Sequence, residues 1–233
     1  MNCSAQVITI DGPGGAGKGA ISRRLAQHLG YALLESGALY RALALAAQQH
    51  GIAPDAAPEL VALASGLDVT FRVDADGNQQ VLLAGRDCTD ALHSEACGDA
   101  ASQLASIPSV RAALLSRQRA QRQPPGLVAE GRDMGTVVFP DAALKIFLTA
   151  SLEERARRRH KQLMTLGIGA KLADLLEELS IRDERDARRA VAPLAPAMDA
   201  VVVDSTGRDI DQVFTSILEL VNERQPTIGD CSQ

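Results

Sequence analysis

The sequence predicts an α/β fold: a five-stranded parallel sheet flanked by helices, with an inserted antiparallel flap and a helical lid. Helical patterns separate short apolar runs that are typical of buried strands, so we expect parallel strands with helices on both faces of the sheet. Residues 67–87 instead alternate apolar and polar side chains with a period of two, which predicts the flap. The apolar runs lie at residues 7–11, 31–35, 127–131, 144–148 and 200–204.

The first apolar run leads into a glycine-rich loop that contains a lysine. Residues 12–20 read Gly-Pro-Gly-Gly-Ala-Gly-Lys-Gly-Ala, and a helical pattern follows from Ile21. This order of strand, loop, lysine and helix is the P-loop pattern. The glycines let successive N–H groups point inward as an anion nest, and the helix adds its positive dipole end. Together with the charge of Lys18, the pattern predicts a site for the phosphates of a nucleoside triphosphate.

One position departs from the P-loop pattern. A Ser or Thr after the lysine usually binds Mg²⁺, whereas Gly19 and Ala20 carry no hydroxyl and Ser22 lies a helical step further on. We therefore assign no protein ligand to a metal. A Mg²⁺ ion would be held by phosphate oxygens, by water and by a carboxylate elsewhere in the chain.

The composition limits the classes of function. The 233-residue chain has a net charge of −5, which argues against a general nucleic-acid binder. Hydrophobic residues reach 46%, so a sizeable core is expected, and it must be aliphatic because aromatic residues make up only 3%. We expect a cytoplasmic protein, because no apolar run approaches a membrane span and no signal peptide is evident. Without an interface signature, we expect a monomer. The isolated cysteines predict free thiols; they are Cys3, Cys88, Cys97 and Cys231.

Polar side chains follow the C-terminal ends of the predicted strands. Ligands bind beyond that edge of an open parallel sheet, so the topology alone brings these residues to one place. The helix expected after the second strand has Ser36 as its candidate N-cap. The polar residues at the strand ends are Asp11, Glu35, Ser36, Arg132, Asp133, Asp204 and Ser205.

Two helical segments late in the chain are rich in basic residues. Residues 155–161 include four arginines and a lysine, and they follow a capping box of Ser151 and Glu154. A solvated, salt-bridged surface explains such charges equally well. Together with the P-loop, however, the basic segments favour a lid that closes over a polyphosphate and excludes water. On a helix over residues 172–189, one face would carry Arg182, Arg185, Asp186 and Arg189.

Six segments of the chain carry the motifs of a known family. The most specific is Glu130-Gly-Arg-Asp-Met-Gly-Thr-Val-Val-Phe-Pro140, and together the segments extend from residue 7 to about residue 206. The sequence resembles the bacterial cytidylate kinases, a branch of the nucleoside monophosphate kinase family. The other segments are Ile8–Gly19, Ser36–Arg41, Ala100–Gln103, Arg182–Asp186 and Ala190–Pro193.

The resemblance implies ATP-dependent phosphorylation of CMP and dCMP in pyrimidine nucleotide metabolism, with UMP slower and Mg²⁺ entering with ATP. Lys18, Arg132 and Arg189 would be catalytic, since phosphoryl transfer depends on positive groups around the moving phosphate. The implied ATP ligands are Gly12, Pro13, Gly14, Gly15, Ala16, Gly17, Lys18, Gly19 and Ala20, with Arg158 from the lid. The implied CMP ligands are Ser36, Arg41 and Arg132 at the phosphate, Ser102, Arg111 and Asp133 at the cytosine edge, Arg182 and Asp186 at the ribose, and Arg189 between the substrates.

The resemblance also implies a division of the chain. The P-loop core would comprise residues 1–38, 98–150 and 192–225, the monophosphate-binding insert with its flap residues 39–97, the lid residues 151–191, and a frayed tail residues 226–233. Two positions depart from the family pattern. Ala20 stands where Thr or Ser is usual, and Glu35 stands where Asp is usual.

Three alternatives remain open. A P-loop kinase for another small substrate, of the shikimate or gluconate type, explains the loop but not the flap or the set of Ser102, Arg111 and Asp133. A non-catalytic module that holds nucleotide without transfer is supported only by Ala20. An arginine-driven RNA-binding protein is disfavoured by the net charge and by the lack of an aromatic stacking platform.

Overall fold

A computed structural model describes residues 5–73, 79–92, 94–165, 167 and 169–224. The predicted flap turn at residues 74–78 and the predicted tail at residues 226–233 lie outside the described residues, as do Cys3 and Cys231. The other two cysteines, Cys88 and Cys97, are free thiols as predicted. Within the described ranges, no helix is both long enough and apolar enough to cross a membrane.

Helical segments separate the five core strands along the chain, as the sequence predicts. The strands of the described residues are β1 (Gln6–Asp11), β2 (Ala32–Glu35), β3 (Val69–Val73), β4 (Gln79–Leu83), β5 (Arg86–Asp87), β6 (Gly126–Gly131), β7 (Leu144–Thr149) and β8 (Val201–Asp204). The helices are α1 (Lys18–Leu29), α2 (Ser36–Gln49), α3 (Ala57–Ser65), α4 (Thr89–Leu92), α5 (Glu95–Leu104), α6 (Pro108–Arg119), α7 (Leu152–Thr165), α8 (Leu172–Ala187) and α9 (Ile210–Arg224), and a π-helical turn spans Met134–Val138.

Strand β1 lies at the centre of a five-stranded sheet with the order β2-β6-β1-β7-β8. It runs parallel to β6 and β7, with Asp11 opposite Gly131 on one side and Phe147 on the other. The predicted parallel sheet is therefore confirmed. Because helices cover such a sheet, its central strands β1, β6 and β7 are buried along most of their length rather than at alternate residues. This arrangement places the loops after β1 and β6 side by side at the C-terminal edge.

The flap is an antiparallel sheet of three strands. Strand β4 pairs with β3, for example Leu82 with Thr70, as the alternation predicts. It also pairs with β5 (Arg86–Asp87). The sequence does not predict β5, because two residues are too short to display a period. A tight turn through Ala84 and Gly85, both with positive φ, connects β4 to β5.

The described residues form two compact units. We call the described residues within Met1–Leu34, Gln121–Arg188 and Ala192–Gln233 the P-loop unit, and those within Glu35–Ala120 and Arg189–Val191 the insert unit. Each has an aliphatic core, as the composition predicts. The core of the P-loop unit includes Ile10, Leu25, Ile146, Leu148 and Ile217. The core of the insert unit includes Leu43, Leu60, Leu67, Leu104 and Leu114.

Two local predictions about helix ends are wrong. Ser36 does not cap α2: Glu35 holds the N-cap position, and the Ser36 hydroxyl accepts a hydrogen bond from Gln118 Nε2 at 3.1 Å. Helix α8 ends at Ala187 rather than at Arg189. The chain leaves the helix here, because the Leu194 N–H donates to the Asp186 carbonyl oxygen at 2.9 Å. Arg189 therefore does not share a helical face with the other charged residues.

Candidate active site

The P-loop conformation is dictated by backbone sterics. Gly12 has φ +144°, and a Cβ there would lie 2.0 Å from the carbonyl oxygen of Leu148 on β7. Gly15 has φ +79°, and its Cβ would lie 3.0 Å from Arg155 Cβ. Gly17, with φ +96°, is the left-handed N-cap of α1. Side chains at these positions would be strained or would collide, so the loop needs its glycines.

Lys18 is the first residue of α1 and is only 5% exposed. Its Nζ donates to the carbonyl oxygen of Pro13 at 2.9 Å, so the amine folds back over the loop. Burial lowers the pKa of Lys18 to about 7, with a further decrease from the charge of Arg132, while Glu130, Asp11 and Asp186 act in the opposite direction. A phosphate beside Lys18 would stabilise the charged amine, because an anion favours the protonated form.

Arginines of α7 bind the carbonyl oxygens on the outside of the loop. Arg155 Nη1 donates to Gly14 O at 3.1 Å, and its other donors reach Ala150 O and the Asp183 carboxylate. The side chain is almost fully buried. Buried backbone carbonyl oxygens need hydrogen-bond donors, and the arginine supplies one to the loop at Gly14. The sequence assigns Arg155 only to a basic helix; this contact to the loop was missed.

Arg158 is engaged by the protein at all five of its N–H donors. Nε pairs with Glu154 at 3.0 Å, Nη1 donates to Ala16 O and Ser205 Oγ, and Nη2 donates to Ser205 O and Arg208 O. Ser205 Oγ itself lies 3.1 Å from Ala16 O. Arg158 thus ties the P-loop to the segment after β8. The prediction that Arg158 contacts ATP stays a prediction, and it requires some of these bonds to open.

The capping box before α7 is formed only in part. Ser151 Oγ accepts the N–H of Glu154 at 3.2 Å, as predicted. The Glu154 carboxylate, however, pairs with Arg157 and Arg158 instead of returning to the Ser151 N–H. That N–H donates to Thr206 Oγ1. The carboxylate is drawn away because two guanidinium groups lie one turn further along the same face of the helix.

Arg132 follows β6 and lies beside the P-loop. Its Nη2 would be 3.6 Å from a Cβ built on Gly14, and its Nε pairs with the buried Asp186 carboxylate at 2.9 Å. Asp133 is 3% exposed. Arg182 lies one turn before Asp186 on α8 and is half-buried. Within the P-loop unit, the structure therefore brings Arg132 and Asp186 together with Lys18.

In the insert unit, α2 packs against α5, and each helix carries a residue predicted as a CMP ligand, namely Arg41 on α2 and Ser102 on α5. Arg41 Nη1 donates to the carbonyl oxygens of Leu92 and Ser94. A Cβ on Gly98 of α5 would lie 2.7 Å from Arg41 Nη2, so the missing side chain leaves room for the guanidinium. Ser102 is buried one turn further along α5. The sequence identifies Arg41 and Ser102 but gives no signal for the role of Gly98.

Two further residues predicted as CMP ligands, Arg111 and Arg189, lie in the insert unit. Arg111 is buried on α6 of the insert unit and donates to Ala105 O at 3.2 Å. Arg189 is half-buried in the short segment that belongs to the insert unit. Across the described residues, no group of three or more His, Cys, Asp or Glu side chains is arranged to hold a metal ion.

Comparisons with known proteins match almost the whole chain. The family model described as Cytidylate kinase matches residues 8–223. A cytidylate kinase of Pseudomonas fluorescens is 58% identical over 219 residues, which cover 94% of this chain and 96% of the relative. A cytidylate kinase of Aeromonas hydrophila is 54% identical and covers 98% and 97% of the two chains. The crystal structure of an uncharacterized protein from Eubacterium ventriosum is 13% identical, covers 94% of this chain and 99% of its own, and has a TM-score of 0.52.

Proposed function

The chain belongs to the cytidylate kinase family, and we propose that it transfers the γ-phosphoryl group of ATP to the phosphate of CMP and dCMP. An oxygen of the acceptor phosphate attacks the γ-phosphorus, the bond to the β-phosphate oxygen breaks, and ADP leaves. The observation that carries the proposal is the buried Lys18 at the N-terminus of α1, directly after a loop whose glycines have positive φ at three positions.

Phosphoryl transfer is catalysed mainly by positioning and by electrostatic stabilisation of the transition state, and little by covalent catalysis. Charge spreads over the oxygens of the transferring group, so fixed donors that need no reorganisation lower the barrier. Lys18 and the P-loop N–H groups supply such donors on the ATP side. Mg²⁺ would enter as the complex with ATP and would be held by phosphate oxygens, by water and by a carboxylate elsewhere in the chain, because Gly19 and Ala20 offer no side-chain ligand.

The acceptor assignments are part of the proposal. A guanidinium suits a phosphate because it donates two parallel hydrogen bonds, which supports Arg41 and Arg132 as phosphate ligands. A buried carboxylate suits the exocyclic amine of cytosine, which supports Asp133 and predicts that UMP is slower. Asp186, paired here with Arg132, would bind the ribose hydroxyls once that pair opens. The remaining assigned ligands, which rest on the resemblance, are Ser36, Ser102, Arg111, Arg182 and Arg189.

We also propose the roles of the larger segments. The antiparallel flap at residues 67–87 would belong to the monophosphate-binding insert, and residues 151–191 would form the lid. Arg155 and Arg158 donate hydrogen bonds to the P-loop carbonyl oxygens of Gly14 and Ala16. These contacts support a role of this segment beside the ATP phosphates. A monomeric state and a cytoplasmic location stay predictions.

A coupled assay of ADP release tests the proposed activity. The substrates are CMP, dCMP, UMP, AMP and shikimate, each with Mg·ATP. We expect rapid turnover of CMP and dCMP, slower turnover of UMP, and little with AMP or shikimate. Equal rates with AMP, or turnover of shikimate alone, would contradict the proposal. Nucleotide binding by calorimetry without any ADP release would instead identify a non-catalytic module.

A further inference from the structure

Asp11 connects the strand before the P-loop to the turn after β6. It is the last residue of β1 and is 5% exposed. Its Oδ1 accepts the N–H of Met134 and its Oδ2 accepts the N–H of Gly135, both at 2.8 Å. Both carboxylate oxygens are therefore bound to the backbone of a segment more than 120 residues away in the sequence.

The two N–H groups begin the π-helical turn Met134–Val138. The first N–H groups of a helical turn have no partner within it and carry its positive end, so a carboxylate is a fitting cap. The turn also packs directly on β1. A Cβ on Gly135 would lie 2.8 Å from Thr9 Oγ1, which leaves no space for a larger residue.

The same residue holds both ends of the segment that contains Arg132 and Asp133. On the preceding side, Asp11 lies opposite Gly131 in the ladder of β1 and β6. On the following side, its carboxylate binds Met134. Only two residues lie between these fixed points, so their backbone has little freedom. They are the two residues assigned above to the acceptor phosphate and the cytosine edge.

Burial makes the charged form of the Asp11 carboxylate less favourable than it would be in water. Burial raises the pKa of Asp11 to about 6, although the two N–H donors lower it; the charge of Asp133 raises it further and that of Lys18 opposes this. A buried carboxylate is retained only where its partners compensate for the loss of water. At this position the compensation comes mainly from Met134 and Gly135.

We propose that Asp11 is a positioning residue, which fixes Arg132 and Asp133 at the end of β6 and so sets the base preference of the acceptor site. This role rests on the proposed function. Asp11 would not touch either substrate. Through two hydrogen bonds, its side chain would link the strand before the P-loop to the turn that directly follows Arg132 and Asp133.

The variant Asp11→Asn tests the role with little change in shape. Its oxygen can accept one N–H, but its amide group turns hydrogens toward the other. We expect the ratio of kcat/KM for CMP to kcat/KM for UMP to fall about tenfold, with KM for CMP raised and KM for ATP changed less than about twofold. The ratio is informative, because a loss of stability alone would lower kcat/KM for CMP and for UMP by the same factor.

Thr9→Val is the matched control. Thr9 lies on the same strand, beside the same turn, and its buried hydroxyl has no hydrogen-bond partner within the described residues. We expect an unchanged CMP to UMP ratio in this variant. If Thr9→Val alters the ratio as much as Asp11→Asn does, packing of the turn sets the preference and the proposed role of the carboxylate is wrong.

Amide hydrogen exchange of the unmodified protein provides a test that does not depend on folding of a variant. We expect the Met134 and Gly135 amides to exchange at least about tenfold more slowly than the amide of Asp55, an exposed residue in a turn. Fast exchange at both amides, or an unchanged base ratio in Asp11→Asn, overturns the positioning role while leaving the kinase activity intact. Failure of the unmodified protein to phosphorylate CMP overturns the proposed function instead.

Discussion

The P-loop and the surroundings of Arg41 in the insert unit fix their key groups by different means. In the P-loop the constraint is backbone against backbone, since a Cβ on Gly12 would meet the carbonyl oxygen of Leu148. Around Arg41 the constraint is a long side chain held by two carbonyl oxygens above Gly98. A backbone collision cannot be relieved by rotation, whereas a guanidinium can move. Changes in the first region should therefore affect catalysis itself, and changes in the second should affect one substrate.

Lys18→Ala should have the largest effect. Removal of the Lys18 amine takes away the positive charge that a phosphate beside it would stabilise, and we expect kcat to fall roughly 10³-fold. Steady-state kinetics with CMP and ATP measure the loss, and circular dichroism checks that the fold persists. Arg23→Ala, an exposed cation on the same helix, is the control and should retain nearly full activity. Near-normal turnover of Lys18→Ala would refute the phosphate role.

Arg158→Gln tests whether the loop also depends on its outer carbonyl contacts. The change removes the charge and several of the bonds to Ala16, Ser205 and Arg208. We expect KM for ATP to rise about tenfold and the melting temperature of the ligand-free protein to fall by about 5 °C. KM for CMP should change little.

The neighbouring Arg157 provides the control for that experiment. Its side chain is 63% exposed and pairs with Glu154 on the same helix, so Arg157→Gln should alter neither quantity appreciably. The two readouts separate the two roles considered for Arg158. A higher KM for ATP with an unchanged melting temperature would favour direct contact with ATP over a clamp on the loop.

Gly98→Ala tests the side-chain constraint in the insert unit. The new Cβ would displace the Arg41 guanidinium, so we expect KM for CMP to rise about fivefold while KM for ATP stays constant. The melting temperature should stay the same or increase, because alanine is favoured over glycine within α5 by roughly 0.5–1 kcal/mol. Gly66→Ala, where the nearest atom is 3.7 Å from the added Cβ, is the control. A drop in stability without a change in KM would show that Gly98 serves packing alone.

The same contrast explains what the sequence could predict. The parallel sheet and the P-loop are indicated by local features of the sequence, namely apolar runs, closely spaced glycines and a lysine at a fixed distance from them. The strand ends at Asp11 and Arg132 also follow from topology, because parallel strands end at one edge. These features depend on the chain's own conformation over a few residues.

Features that depend on distant partners were not predicted. No local pattern indicates that Asp11 binds the amides of Met134 and Gly135, or that Arg158 reaches Ser205. The helical periodicity continues to Arg189, yet α8 ends at Ala187 because a tertiary hydrogen bond from Leu194 captures the Asp186 carbonyl oxygen. Long side chains allow many pairings, and only packing selects among them.

Ala20→Thr should have the smallest effect and addresses the one unusual position of the P-loop. The added hydroxyl lies in the first turn of α1, where family members usually carry Thr or Ser, and it can help to bind Mg·ATP. We expect kcat/KM for ATP to stay equal or to rise by no more than about threefold, because phosphate oxygens and water would supply most of the ligands of the metal in either variant. Titration of Mg²⁺ at fixed ATP measures the effect, with Ala20→Val as the control for shape. A loss of activity in the threonine variant but not in the valine variant would mean that the hydroxyl itself is unfavourable and that the loop is adapted to alanine.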